Sequence, residues 1–300
     1  MLNKIVIFGV GLIGGSFALA LRKANAVGEI VGVGRSLHSL ERAKELGLID
    51  TIASSVEEAM RDADLVLLAV PVAQTEAILA TIKPYLQPQT VITDAGSIKG
   101  EVIVAAQHAL GDRIVQFVPG HPIAGRETTG PDAAVADLYI GKKVVLTPLP
   151  QNAETHVALV REAWQQCGAS VHLLSAQEHD AVFAAVSHLP HLLAFALVDE
   201  YARRDNADLL FNYAASGFRD FTRIAGSSPE MWRDIALTNQ QAVLLELDTY
   251  MHQLSSLRVA LAAGDAAALE SVFANAQRAR HAWQQSIEKA EPQPQQDRDA

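Results

Sequence analysis

The stretch Lys4-Ile-Val-Ile-Phe-Gly9-Val-Gly11-Leu-Ile-Gly14-Gly-Ser16 constrains the fold more than any other. Ile5, Val6, Ile7 and Phe8 form a short apolar run of the kind that fills a parallel strand buried on both faces. Gly9-x-Gly11-x-x-Gly14 follows, and Phe17, Leu19, Ala20 and Leu21 then carry a helical pattern. Strand, glycine turn and helix, in that order, are what a dinucleotide pyrophosphate requires. The first glycine permits the tight turn and the second lets the backbone approach the phosphates. The third packs helix on strand, with the helix amides aimed at the anion. The spacing alone is a weak signal, because a structural turn can produce it by chance; directly behind a buried-type strand it is a strong one. Gly9, Gly11, Leu12, Ile13 and Gly14 are the candidate cofactor cradle, with Val70 and Pro71, at the end of a later apolar run, on its rim.

A chain of 300 residues has room for two cores. With 49% hydrophobic and 19% charged residues it reads as an ordinary compact protein. A net charge of −10 without a basic block argues against nucleic acid as a partner. The apolar runs read as too short to span a membrane. A first strand beginning at Lys4 leaves no room for a signal peptide, and the single cysteine, Cys167, fits a reducing compartment. The expected location is cytoplasmic. Cys167 has no evident base beside it and reads as a packing residue, not a nucleophile.

Glu29–Val33 reads as the second strand. An acidic residue at its end would bond the adenosine ribose hydroxyls of NAD; this chain has Gly34-Arg35-Ser36 instead. A cation and a hydroxyl suit a 2′-phosphate, with His38 as a further donor, so NADP is expected to be preferred over NAD. The bland alternative is that Arg35 is a solvated loop residue. Further strands are predicted near 49–52, 63–70, 90–94, 114–118, 143–146 and 169–174, with helices between them. This alternation indicates a doubly wound sheet. From about Ser175 the strand pattern stops, and the segments 176–204, 207–225, 230–263 and 266–288 are helical in period. The predicted organisation is α/β: a Rossmann-type dinucleotide-binding domain over 1–175, an all-α substrate and dimerisation domain over 176–289, and a disordered tail over 290–300. The active site is expected in the cleft between the two domains.

Three constellations carry chemistry. Pro119-Gly-His121-Pro-Ile-Ala-Gly125 reads as a loop beyond a strand end, where its constrained histidine can act as a general base near neutral pH. Glu178-His179-Asp180 and Ser187-His188-Leu-Pro190-His191 open the helical domain. His188 and His191 share a helix face, and Pro190 should kink or break that helix. Metal binding there is disfavoured, since third ligands are not clearly placed. Ser216-Gly-Phe-Arg219-Asp-Phe-Thr-Arg223-Ile-Ala225 places two guanidinium groups where they suit a carboxylate-bearing substrate or, equally, a surface charge cluster.

Taken together, the Gly9-x-Gly11-x-x-Gly14-Gly-Ser16 turn, Asp94-x-Gly96-Ser97-x-Lys99, Gly120-His-Pro-Ile-Ala-Gly125, His179-Asp180 with Ser187-His-Leu-Pro-His191, and Gly217-Phe-x-Asp-Phe-Thr-Arg223-Ile-Ala225 resemble the prephenate/arogenate (cyclohexadienyl) dehydrogenases of tyrosine biosynthesis. The resemblance runs in family order from residue 4 to about 240. It implies oxidative decarboxylation of a cyclohexadienol, prephenate or arogenate, to 4-hydroxyphenylpyruvate or tyrosine, with hydride passing to NADP or NAD. It implies that His121 takes the ring hydroxyl proton, that Ser97 holds the hydroxyl and orients His121, and that Arg223 grips a carboxylate. His188, His191 and Arg219 would line the rest of the pocket. Arg219 stands where relatives often have lysine and would be contributed across a dimer interface, with Glu127 as its acidic partner. No metal is implied, and the expected assembly is a homodimer. The alternatives are a two-domain β-hydroxyacid dehydrogenase or imine reductase, and a nucleotide-sensing protein without turnover. The first commonly needs a catalytic lysine, which 176–288 does not contain; the second would be favoured by loss of His121 or Arg223, and both are present.

Overall fold

The computed structural model describes residues 1–126 and 128–290. Glu127 and the predicted tail from Glu291 onward lie outside them. The chain forms two compact units, Met1–Val243 and Leu244–Ala300.

The first unit begins with β1 (Leu2–Phe8), α1 (Leu12–Lys23), β2 (Val27–Val33), α2 (Leu37–Glu45), β3 (Thr51–Ile52), α3 (Val56–Met60), β4 (Leu65–Leu68), α4 (Thr75–Ile82), β5 (Val91–Asp94), α5 (Gly100–Leu110) and β6 (Phe117–Val118). These strands make a six-stranded sheet in the order β3-β2-β1-β4-β5-β6, and every pairing is parallel. Alternation along β1 shows why both faces need cover. Ile5 and Ile7 enter one core with Phe17, Leu21 and Trp164; Val6 and Phe8 enter the other with Leu79, Ile82 and Val102. All the strand C-termini share one edge, where such sheets bind ligands.

The single predicted sheet needs correcting. After β6 the chain leaves it, and β7 (Gly120–Pro122), β8 (Lys143–Leu146) and β9 (Ser170–Leu173) form a separate three-stranded sheet. β7 is antiparallel to β8, and β8 is parallel to β9. Pro119 has no amide to continue the ladder, and the Gly120 amide is taken by the Asp94 carboxylate at 3.0 Å, so the strand peels away. His121 therefore sits on a short strand, not in a loop. The expected strand over 114–118 shrinks to two residues, because 111–116 form a 3₁₀ run after Gly111 ends α5 with φ +56°. Between β8 and β9, α6 (Glu154–Gln166) buries Trp164 against Phe17 and Tyr139, at ring distances of 4.6 and 5.1 Å. Cys167 lies buried at its end, and burial pushes its thiol pKa well up.

Ser175 and Glu178 form a capping box that starts α7 (Ala176–Phe183). A π-helical turn, Ala184–His188, joins it to α8 (Leu189–Ala202). Pro190 has no amide for the Val186 carbonyl, so the ladder resets around it. The joined run Ala176–Ala202 is long and apolar enough to cross a membrane by length and composition, which corrects the expectation that no segment reaches that length. It carries His179, Asp180, His188 and His191 of the pocket described below. The predicted helix 207–225 is two short ones, α9 (Ala207–Asn212) and α10 (Ser216–Thr222), followed by the 3₁₀ turn Arg223–Gly226. The predicted helix 230–263 is broken at Asn239 into α11 (Pro229–Thr238) and α12 (Gln240–Ala263). Gly264, at φ +65°, separates α12 from α13 (Ala266–Ala290).

Candidate active site

The cofactor cradle divides its labour among three glycines. Gly9 has φ +91°, and a Cβ there would lie 2.3 Å from the Ala69 carbonyl oxygen. A Cβ at Gly14 would lie 2.3 Å from the Gly9 carbonyl oxygen. Both are required by the fold. Gly11 is different: a Cβ there meets nothing closer than Gly130 at 4.0 Å. Gly11 is also the N-cap of α1, and no side chain caps the first amides of the helix. That space and those donors fit a pyrophosphate. Leu12 and Ile13 open the helix, and the Ile13 carbonyl accepts a bond from the buried Tyr139 hydroxyl at 2.7 Å. Val70 touches the Gly9 position, and Pro71 precedes the next turn. Arg35 is exposed beyond β2; the Ser36 hydroxyl caps α2 by accepting from the Ser39 amide at 3.2 Å.

The second half of the site grows from the end of β5. Asp94 accepts bonds from the Gly96 and Gly120 amides at 2.8 and 3.0 Å. Lys99, wholly buried, closes the cluster: its Nζ lies 2.5 Å from Asp94 Oδ2 and 2.6 Å from the Gly120 carbonyl oxygen. Burial lowers the Lys99 pKa, with the Asp94 charge opposing. β7 is thus clamped to the β5–α5 turn, which also carries the half-buried Ser97.

His121 projects from β7 into a group of aromatic and imidazole rings. Its Nδ1 lies 2.8 Å from His179 Nε2, and its ring meets Phe183 edge-on at 4.9 Å. His179 Nδ1 lies 2.8 Å from Asp180 Oδ1. Asp180 also receives the Lys99 and Gly100 amides at the start of α5, at 2.8 and 2.7 Å. The Asn239 amide donates to the Asp180 carbonyl at 2.9 Å and lies 3.1 Å from His188 Nδ1. His191 stacks on Trp232 at 3.5 Å, and its Nδ1 is held by the Ser187 carbonyl at 2.8 Å.

These surroundings keep the imidazoles neutral. Desolvation, then the neighbouring His179, Lys99 and His188, push the His121 pKa well below its ordinary value. Burial takes His188 down to about 4 and also lowers His179 and His191, the last with help from the Arg223 charge. For Asp180, desolvation works upward, but the bonds from His179, Gly100 and Lys99 outweigh it, and its pKa is lowered.

The structure therefore brings together His121, His188 and His191, with Ser97 in the adjoining turn and Arg223 near enough to act on His191. Arg219 is not part of this group; it is exposed on α10, 3.9 Å from Asp220. Lys99, His179, Asp180, Trp232 and Asn239 join the site without having been assigned roles from sequence. Lys99 and the His179-Asp180 pair stand inside the motifs quoted above; Asn239 carries no sequence signal. Among the described residues, no group of three or more His, Cys, Asp or Glu side chains is arranged to hold a metal ion.

A dinucleotide cradle at one end of a parallel sheet, and a half-buried histidine, held neutral, on the short strand beside it, define a dinucleotide-dependent dehydrogenase. Comparison with known proteins refines this class. The family profile described as "Prephenate dehydrogenase, nucleotide-binding domain" matches residues 17–173, and "Prephenate dehydrogenase, dimerization domain" matches 175–275. The cyclohexadienyl dehydrogenase of Zymomonas mobilis is 38% identical over 281 residues, covering 93% of this chain and 95% of the relative. The prephenate dehydrogenase of Bacillus subtilis is 36% identical, covering 92% and 75%. The crystal structure of Aquifex aeolicus prephenate dehydrogenase with hydroxyphenyl propionate and NAD+ is 36% identical, covers 94% of this chain and 98% of its own, and superimposes with a TM-score of 0.88. The chain belongs to the prephenate dehydrogenase family and is an NAD(P)-dependent oxidoreductase.

Proposed function

We propose that this chain oxidatively decarboxylates prephenate, arogenate or both, forming 4-hydroxyphenylpyruvate or tyrosine. The observation that carries this reading is His121: an imidazole held neutral by its surroundings, on a strand clamped by Asp94 and Lys99 and packed against the rings of His179 and Phe183, in a chain that matches a cyclohexadienyl dehydrogenase along almost its whole length. A bound nicotinamide dinucleotide supplies the hydride acceptor, held by Gly9, Gly11, Leu12, Ile13 and Gly14, with Val70 and Pro71 beside it. His121 takes the ring hydroxyl proton, which raises electron density at the carbon that loses hydride. The bond to the ring carboxylate breaks, CO₂ leaves and the ring becomes aromatic. Ser97 holds the hydroxyl. Arg223 binds a substrate carboxylate beside His191. Arg219 serves a neighbouring subunit's pocket in a homodimer.

Arg35 at the end of β2, where no acid stands, supports NADP over NAD, with Ser36 able to add a donated bond. Initial rates with each substrate against each cofactor test the whole reading. Catalytic efficiency should favour NADP in the parent and lose that preference in Arg35→Ala, with activity on NAD kept. In Arg223→Ala the Michaelis constant for the acid substrate should rise strongly, with nucleotide affinity unchanged. Absence of turnover with both substrates would reject the function, and equal efficiency with the two cofactors would reject the role of Arg35.

A further inference from the structure

Asp180, His179 and His121 form an unbroken line of hydrogen bonds whose direction can be worked out. Ionised Asp180 is an acceptor only, so the proton on the 2.8 Å contact belongs to His179 Nδ1. A neutral His179 then has a bare Nε2, which must accept. The 2.8 Å contact to His121 is therefore donated by His121 Nδ1, and the lone pair of His121 lies on Nε2. The carboxylate is itself locked by the Lys99 and Gly100 amides at the N-terminus of α5, so the sense of the chain cannot easily reverse.

We propose that His179 and Asp180 set the tautomer of His121 and carry its proton onward. When His121 Nε2 gains the substrate proton, the His121 Nδ1–H bond breaks and a His179 Nε2–H bond forms. His121 is neutral again, and the positive charge rests on His179 against Asp180. The transfer answers a physical difficulty. Around His121 stand Lys99, His179 and His188, and among the described residues no carboxylate is hydrogen-bonded to it, so a cation is disfavoured there. Asp180 and Asp94 act favourably on His179. Moving the proton by one ring takes the charge to its counter-ion. His179 and Asp180 touch neither substrate nor cofactor in this scheme and are positioning residues. The inference rests on His121 as the base in the proposed function.

The first experiment needs no turnover. In protein with ¹⁵N-labelled histidine, near neutral pH and without ligand, the imidazole shifts should report His121 protonated on Nδ1 and bare on Nε2. A proton on Nε2 in the parent overturns the proposal. The second uses His179→Gln, which can accept a hydrogen bond but takes up no proton. Its turnover number should fall on the order of tenfold or more with little change in Michaelis constant. Its proton inventory in mixed H₂O and D₂O should become linear where the parent's is bowed by two moving protons. A variant with parental turnover and an unchanged inventory overturns the relay. In Asp180→Asn the amide can present a donor to His179, which inverts both tautomers and should depress turnover further. A parent that oxidises neither substrate instead rejects the proposed function, and leaves the tautomer measurement standing.

Discussion

A histidine that is to remove a proton must first be without one, and the environment of His121 secures this by burial and by neighbouring positive charge. Its acid form is therefore populated only at a pH below the ordinary imidazole value of about 6.5. Catalytic efficiency should stay level as pH falls toward that value and drop only beneath it. An acid limb centred above it would contradict the assignment. Replacing His121 with Asn removes the proposed base and keeps the volume. Turnover should fall by about two to four orders of magnitude with cofactor affinity intact. A loss of only a few-fold, measured alongside nucleotide binding, would take His121 out of the mechanism. The neighbours that tune it were harder to read from the sequence than His121 itself. A buried lysine or asparagine looks like a surface residue until its partner is known, and Asp94 lies 26 positions before Gly120.

At the scale of elements, the Lys99–Asp94 pair joins the β5–α5 turn to β7. Lys99→Met should leave Asp94 buried without its cation and cost about 3–5 kcal/mol, read from urea unfolding. Turnover should fall with it, because the Gly120 carbonyl loses its anchor directly before His121. A variant as stable as the parent would show that Asp94 is satisfied by the amides of Gly96 and Gly120 alone. The parallel sheet was readable because each strand is an unbroken apolar run and the glycine turn announces the first crossover. The second sheet was not, since β7 is three residues long and is created by the capture of the Gly120 amide, an event of tertiary structure. Pro190 did announce a disruption. Its form, a π-turn that carries His188, depends on which carbonyl the ladder gives up.

For the molecule as a whole, the second unit is the telling part. Leu245, Val259, Leu261, Phe273 and Trp283 are each more than half exposed along α12 and α13. Apolar area of this extent marks a contact surface, and the family profile covering 175–275 is that of a dimerization domain. Light scattering at micromolar concentration should give twice the 32.2 kDa chain mass; a persistent monomer would refute the homodimer. The order of a nucleotide-binding part followed by a helical part could be read in the chain because periodicity changes near Ser175. The further division at Leu244 could not, because α12 runs through it without a break in pattern. Cys167 gives the same molecule a clock. Its sulfur is packed beneath α1 and α6, 3% exposed, and protonated by burial, so a thiol reagent finds it inert while the core is closed. Each labelling event then counts an opening of the nucleotide-domain core, and the chain, having one cysteine, reports on its own breathing without any engineered probe.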